Sequence, residues 1–199
     1  VAPGVVRIPA LAEGKLPSSW AESADACGTS GTPGKEDFRL HEYNPDFYIL
    51  RQSGCTNYEK PFLYLLFGDA QALLIDSGAR NAKVALAVTA ALQRWASTHG
   101  GKAPKLIVAH SHSHGDHIAG DAQLAALADV TVVGTKPADV QKVFNLKNWP
   151  DEAVTFYLVG RDLDIVPVPG HEESAIAVKD RQTGVLLITQ TMYRGHLSV

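Results

Sequence analysis

One stretch constrains this chain more than any other: residues 106–120, Leu-Ile-Val-Ala-His-Ser-His-Ser-His-Gly-Asp-His-Ile-Ala-Gly. Leu106 to Ala109 form a short apolar run, bounded upstream by Gly100, Gly101 and Pro104. Such a run predicts a buried strand. It stops at His110, and His112, His114, Asp116 and His117 follow at once. The fold must therefore enclose the strand while leaving its C-terminal end reachable. A loop in that position is held by the scaffold and open to solvent, which suits reactive groups.

The residue types define the chemistry. Neutral imidazole nitrogens and carboxylate oxygens are ligands for zinc and similar divalent ions. His112 and His114 are two apart, so in an extended segment they point the same way. A turn at Gly115 would let Asp116 and His117 face a second point nearby. One loop can thus offer two pairs of ligands to two adjacent metal positions. A fortuitous histidine-rich tract or a tag is the bland alternative, and the flanking strand and glycine punctuation argue against it. His110 falls outside the spaced set and is expected to brace or pack.

His112-Ser113-His114-Gly115-Asp116-His117 matches the pattern H-x-H-x-D-H and resembles the metallo-β-lactamase fold superfamily; further matching pieces run from about Tyr58 to Thr191. The resemblance implies an α+β fold, an αβ/βα four-layer sandwich of two mixed β-sheets flanked by helices. Asp76-Ser77-Gly78 matches the family's D-[TS]-G motif, where the aspartate is a buried brace for the metal loop; a plain strand-to-turn aspartate is the alternative. His171, in Pro169-Gly170-His171, matches the third metal histidine. With His112 and His114 it would make a three-nitrogen site with an open fourth position, as in catalytic zinc. Asp116 and His117 would serve a second position, and Asp116 would also orient or deprotonate the attacking water.

The chain departs from the family pattern at two places. Val185 to Thr191 aligns with a strand that usually ends in a bridging aspartate, and here the position is Gln190. A neutral amide is a poorer bridge between two cations than a carboxylate. Gln190 is therefore expected beside the metal rather than on it, with one ion held firmly and the second position weakened. The family also expects a last histidine much further on. His196 follows Gln190 too closely for that role, so the C-terminal part of the fold is expected to be missing or shortened.

Composition narrows the function classes. The 199 residues are 45% hydrophobic and 20% charged, which suits one globular domain. A net charge of −3 with no basic run argues against nucleic acid as partner. No apolar run approaches the roughly 20 residues that span a bilayer. The chain opens on Val1 rather than Met, so a processed product or a trimmed chain is expected, with any signal peptide already gone. Cys27 and Cys55, both in loop-like surroundings, suit a single disulfide in a periplasmic or secreted protein; two free thiols are the alternative.

Residues 1–37, rich in Pro, Gly, Ser and Ala, predict an irregular arm anchored by Trp20, and residues 38–199 the domain. Strands are expected at Phe47–Leu50, Phe62–Phe67, Ala72–Ile75, Leu106–Ala109, Val130–Val133, Thr155–Val159, Leu163–Val168, Ser174–Val178 and Val185–Thr191. Helices are expected at Ala82–His99, Asp121–Ala128 and Pro137–Phe144. The function expected is a zinc-dependent hydrolase using a metal-bound hydroxide on a small ester, thioester, lactone, β-lactam or phosphoester. Its walls are expected from the loop near Tyr58 and from Asn145 to Trp149. The alternatives are a non-catalytic metal-binding or interaction module with a degenerate second site, and a redox enzyme with iron in the same pocket.

Overall fold

The computed structural model describes residues 13–18, 20, 36–193 and 196–197, with side chains described as far as Gln190. Six strands lie side by side in chain order: β1 (Phe38–Asn44), β2 (Phe47–Gln52), β3 (Phe62–Phe67), β4 (Gln71–Ile75), β5 (Lys105–Ala109) and β6 (Val130–Val132). The first four pair antiparallel through short connections. β4–β5 and β5–β6 are parallel, which demands crossovers. Helix α1 (Val84–Thr98) makes the first, and the short helices α2 (Gly115–Ile118) and α3 (Asp121–Ala125) lie in the second.

β1 was not expected. Its polar residues Arg39, His41 and Glu42 are partly or fully exposed and only Phe38 is buried, as befits an edge strand with one wet side. The β3–β4 hairpin turns at Gly68, where a Cβ would lie 1.7 Å from the Leu158 carbonyl oxygen. Only glycine admits that close approach.

After helix α4 (Pro137–Phe144), a second sheet forms from β7 (Val154–Tyr157), β8 (Asp162–Pro167), β9 (Ile176–Asp180) and β10 (Leu186–Leu187), in the order β10-β9-β8-β7. All its pairs are antiparallel, so only the first sheet is mixed. The strand expected over Val185 to Thr191 is two residues long. Thr189–Thr191 form a 3-10 turn, which places Gln190 on a turn rather than a strand. A small hairpin follows, β11 (Met192–Tyr193) with β12 (His196–Leu197), and His196 lies on it.

The period of two divides the first sheet between two cores. On one face Leu50, Leu63, Leu65, Phe67, Leu74 and Val108 pack under Val88, Leu92 and Trp95 of α1. On the other, Ile49, Leu66, Leu73, Ile75 and Ala109 meet Leu163, Ile165, Ile176, Val178 and Leu187 of the second sheet. The α1 stripe ends on Trp95, which stacks on Phe67 at 5.0 Å and donates its indole N–H to Asp46 at 2.8 Å. Truncating a residue such as Leu65, with no exposed surface, costs about 2–5 kcal/mol. The described residues thus supply one helical layer, two sheets and the inter-sheet contribution of Val140 and Phe144 from α4.

Arg161 joins the sheets from within. Its guanidinium donates to both carboxylate oxygens of Asp180, at 2.9 and 2.7 Å, and to the backbone carbonyls of Asp46 and Phe67. Among the described residues no helix is long and apolar enough to cross a membrane. Trp20 packs edge-on against Phe62 at 4.9 Å. Cys55 follows β2 and is not a free thiol; Cys27, its expected partner, lies outside the described residues.

Candidate metal centre

The parallel ladder between β4 and β5 sets Ile75 opposite Ala109. The loops that leave the two strands therefore start side by side, at the carboxyl end of the sheet. Asp76 turns at once, with φ of 69°, a left-handed conformation uncommon outside glycine. That turn puts its carboxylate beneath the histidine loop with no exposed surface. Oδ1 accepts the Ser111 N–H at 2.7 Å, and Oδ2 accepts the Ser111 hydroxyl at 2.9 Å and His117 Nδ1 at 2.7 Å. The next residue extends the brace: Ser77 donates its N–H to the His117 carbonyl at 2.7 Å and its hydroxyl to Asp121 at 2.7 Å. His110 also reaches Asp121, at 2.8 Å through Nε2, and so supports the loop from behind.

The histidine loop changes shape along its length. It bends at Ser111 and His112, is extended at His114 (φ −67°, ψ 150°), and then α2 begins. Its first turn carries Asp116 and His117 round to the same side. Gly115 opens that helix at ordinary φ, and a Cβ there would meet nothing within 4 Å, so the turn does not depend on glycine's left-handed freedom. Gly120 matters instead: a Cβ would sit 2.3 Å from the Ser77 carbonyl oxygen.

His171 arrives from the second sheet, on the connection between β8 and β9. Two bonds dock that connection on the histidine loop: Ile176 N–H to the Ser111 carbonyl at 2.9 Å, and the Ser113 hydroxyl to Glu172 at 2.6 Å. One ligand atom from each of His112, His114 and His171 lies within 4.8 Å of the others. His171 Nε2 is 3.1 Å from His114 Nδ1. Gln190 Oε1 stands 3.2 Å from His112 Nε2 and 3.1 Å from His171 Nε2, and Gln190 Nε2 donates to Asp116 at 3.2 Å. His117 Nε2 lies 3.1 Å from Asp116 but lacks the alignment of a hydrogen bond, and it is buried without a partner.

Burial favours neutral imidazole at His112. Burial, then the neighbouring His117, pushes His112 down to about 4. Burial pulls His117 down as well, but the hydrogen bond and charge of Asp76, with Asp116 behind them, raise it on balance. Tyr64 is pushed up to about 12 by burial and by the charge of Asp76, so its hydroxyl stays protonated at neutral pH.

These residues fit a divalent ion. Zinc–nitrogen bonds of about 2.0–2.1 Å at tetrahedral angles put ligand atoms roughly 3.3 Å apart. The nitrogens of His114 and His171 already stand 3.1 Å apart, from loops on different sheets, and His117 offers a buried nitrogen with no partner. The adjoining cleft, of about 270 Å³, is lined by Glu59, Lys60, Pro61, Phe62, Tyr64, Asp116, His117, Thr189 and Gln190.

All seven metal-loop and brace positions named from sequence meet here: His112, His114, His171, Asp116, His117, Asp76 and Gln190. The expected walls are partly corrected. The loop near Tyr58 does form a wall, through Glu59 to Phe62, while Tyr58 itself is 82% exposed. Asn145 to Trp149 do not line the cleft, because Leu146 and Trp149 pack into the inter-sheet core. Ser77, Ser111, Asp121 and Glu172 were missed. Only the serines had a signal, as small polar residues at the ends of two apolar strands.

A model of the family described as the metallo-beta-lactamase superfamily matches residues 60–195. The chain belongs to the metallo-β-lactamase superfamily. Among solved structures, the metallo-beta-lactamase from Pontibacter korlensis is 21% identical, with a TM-score of 0.49 over 75% of this chain and 69% of its own. The metallo-beta-lactamase from Hirschia baltica is 18% identical, with a TM-score of 0.50 over 73% of this chain and 67% of its own. A variant of the flavo di-iron protein from Thermotoga maritima is 16% identical, with a TM-score of 0.52 over 75% of this chain and 41% of its own. At such identities the likeness to the last two concerns the fold alone. No curated protein sequence matches the chain.

Proposed function

We propose that the chain carries the active site of a metal-dependent hydrolase, with zinc held by His112, His114 and His171. The substrate class is a small ester, thioester, lactone, β-lactam or phosphoester. Superfamily membership supports metal-dependent hydrolysis at the level of class. The observation that carries the reading here is the convergence of three imidazole nitrogens within 4.8 Å at the mouth of a cleft. When bound, such an ion acidifies a water and polarises the oxygen of a carbonyl or phosphoryl group.

The chain's own residues do the rest. Asp76 and Ser111 fix the ring of His112, and Asp76 fixes His117. Asp116, held by the Gln190 amide and facing the cleft, is placed to take a proton from an attacking water. Phe62 and Tyr64 give the cleft an aromatic wall. The side chain of Lys60 lies at the rim and suits an anionic or strongly dipolar substrate group.

The test is metal content with a substrate panel. The purified protein should hold zinc, and it should turn over at least one of a chromogenic lactam, thioester, lactone or phosphodiester. His171→Ala should lose both metal and turnover. Metal firmly bound with no turnover on any substrate would mark a binding module. Iron in place of zinc would mark the redox alternative.

A further inference from the structure

We propose that Gln190 is itself a ligand: its Oε1 completes the coordination of the ion held by His112, His114 and His171, while its NH₂ group holds Asp116. This rests on the metal reading above and goes beyond it. It turns Gln190 from a bystander into the group that closes the site at rest.

The argument is an accounting of hydrogens. Asp76 is an acceptor only, so the single hydrogen of the Ser111 hydroxyl goes to Asp76 Oδ2. The 3.0 Å contact between Ser111 Oγ and His112 Nδ1 must then be donated by the ring. A neutral His112 with its hydrogen on Nδ1 presents a bare lone pair at Nε2. Facing it at 3.2 Å is Gln190 Oε1. The amide cannot be turned round to donate there, because its NH₂ group is committed to Asp116 Oδ2, and reversal would set an oxygen against a carboxylate. An amide's orientation is assigned from its network, and this network admits one choice.

Two acceptors therefore face each other in a half-buried site. The repulsion is relieved if both point at one cation. The distances agree: the contacts from Oε1 to His112 and to His171, and the contact between His171 and His114, are 3.2, 3.1 and 3.1 Å. These match three of the six edges of a tetrahedron of about 3.3 Å; the three histidine nitrogens lie within 4.8 Å of one another, so the remaining edges shorten as the site closes on the ion. The donor set is then three nitrogens and one neutral oxygen. An amide oxygen binds less firmly than a carboxylate, so a substrate oxygen or a small anion can displace it. The NH₂ group meanwhile supplies Asp116 with a hydrogen where a second cation would otherwise stand.

Cobalt(II) can replace zinc as a visible probe. Wild type, Gln190→Ala and Gln190→Glu are loaded with cobalt(II), their absorption is recorded, and azide is titrated. Zinc affinity is measured by chelator competition. Gln190→Ala is expected to change the cobalt spectrum and to bind zinc roughly tenfold more weakly, on the scale of losses around metal sites. It should also bind azide more tightly, since no side chain must be displaced. Gln190→Glu should bind zinc more tightly and azide more weakly than wild type. If Gln190→Ala does not fold, the Gln190→Glu result alone decides. Unchanged spectra and affinities in the variants that fold would overturn the proposal and leave a proton on His112 as what relieves the contact. Failure of wild type to take up either metal would instead overturn the metal reading itself.

Discussion

Among the described residues two aspartates are completely buried, and they are used in opposite ways. Asp180 ends β9 and meets a full partner: both its oxygens bind the Arg161 guanidinium, and Thr183 and the Gln182 N–H complete the set. Asp76 follows β4 and has Ser111 and His117 around it. The first network is closed, and every donor ends on the carboxylate or on a backbone carbonyl. The second is open, because each ring that it orients, directly or through Ser111, has another nitrogen: His112 Nε2 faces Gln190, and His117 Nε2 lies beside Asp116. Burial of a carboxylate thus distinguishes nothing by itself. What separates a structural brace from a functional one is where the far end of its partner leads.

Breaking the closed network should have the largest effect. Asp180→Ala leaves Arg161 buried and unpaired, which costs about 3–5 kcal/mol, read as a lowered urea midpoint. Replacing both residues, Arg161→Met with Asp180→Leu, should cost distinctly less. A loss under about 1 kcal/mol for the single variant would mean that the pair is not the clamp described. Asp76→Asn should act the other way round. It should weaken zinc binding by roughly 10- to 100-fold in chelator competition, with a smaller shift in the urea midpoint than Asp180→Ala.

Acid sharpens the contrast further. Burial alone would raise the carboxyl of Asp180, but the hydrogen bond and charge of Arg161, aided by Thr183, hold it below its ordinary value. An unfolded chain therefore takes up this proton at higher pH than the folded one. The stabilisation is fully present above the unfolded value of about 4 and is lost as pH falls through the folded value. Urea midpoints between pH 6 and 3 should fall more steeply in wild type than in the Arg161→Met, Asp180→Leu protein. The smallest effect belongs to the surface: Arg94→Ala, which removes an exposed pair with Glu42, should cost about 0.2–1 kcal/mol.

The closed network was invisible in the sequence and the open one was not. Gly160-Arg161-Asp162 reads as an ordinary polar turn, and no local pattern reveals that this arginine is the largest fully buried side chain among the described residues. Its partners are 19, 94 and 115 residues away. The metal loop is the reverse case. Five chemically telling residues fall within one short stretch, and a family pattern supplies His171. β1 escaped notice because an edge strand needs little apolar alternation. The reduction of Val185 to Thr191 to two paired residues and a turn was hidden because an apolar run does not say where its pairing stops. That turn is what brings the Gln190 amide over the histidines, so the element read least well governs the residue with the most unusual contacts.

The ladder that sets Ile75 opposite Ala109 has a further consequence. The brace and the loop it supports carry no alignment marks of their own; each inherits its place from counting rungs along two neighbouring strands. A single residue inserted into β4 or β5 would turn every following side chain to the opposite face. Asp76 and Ser111 would then be parted even though both were still present. Lengthening the chain after α3, between Ala125 and Asp129, leaves the bonds from Ser77 to His117, Gly120 and Asp121 in place and should be forgiven far more readily.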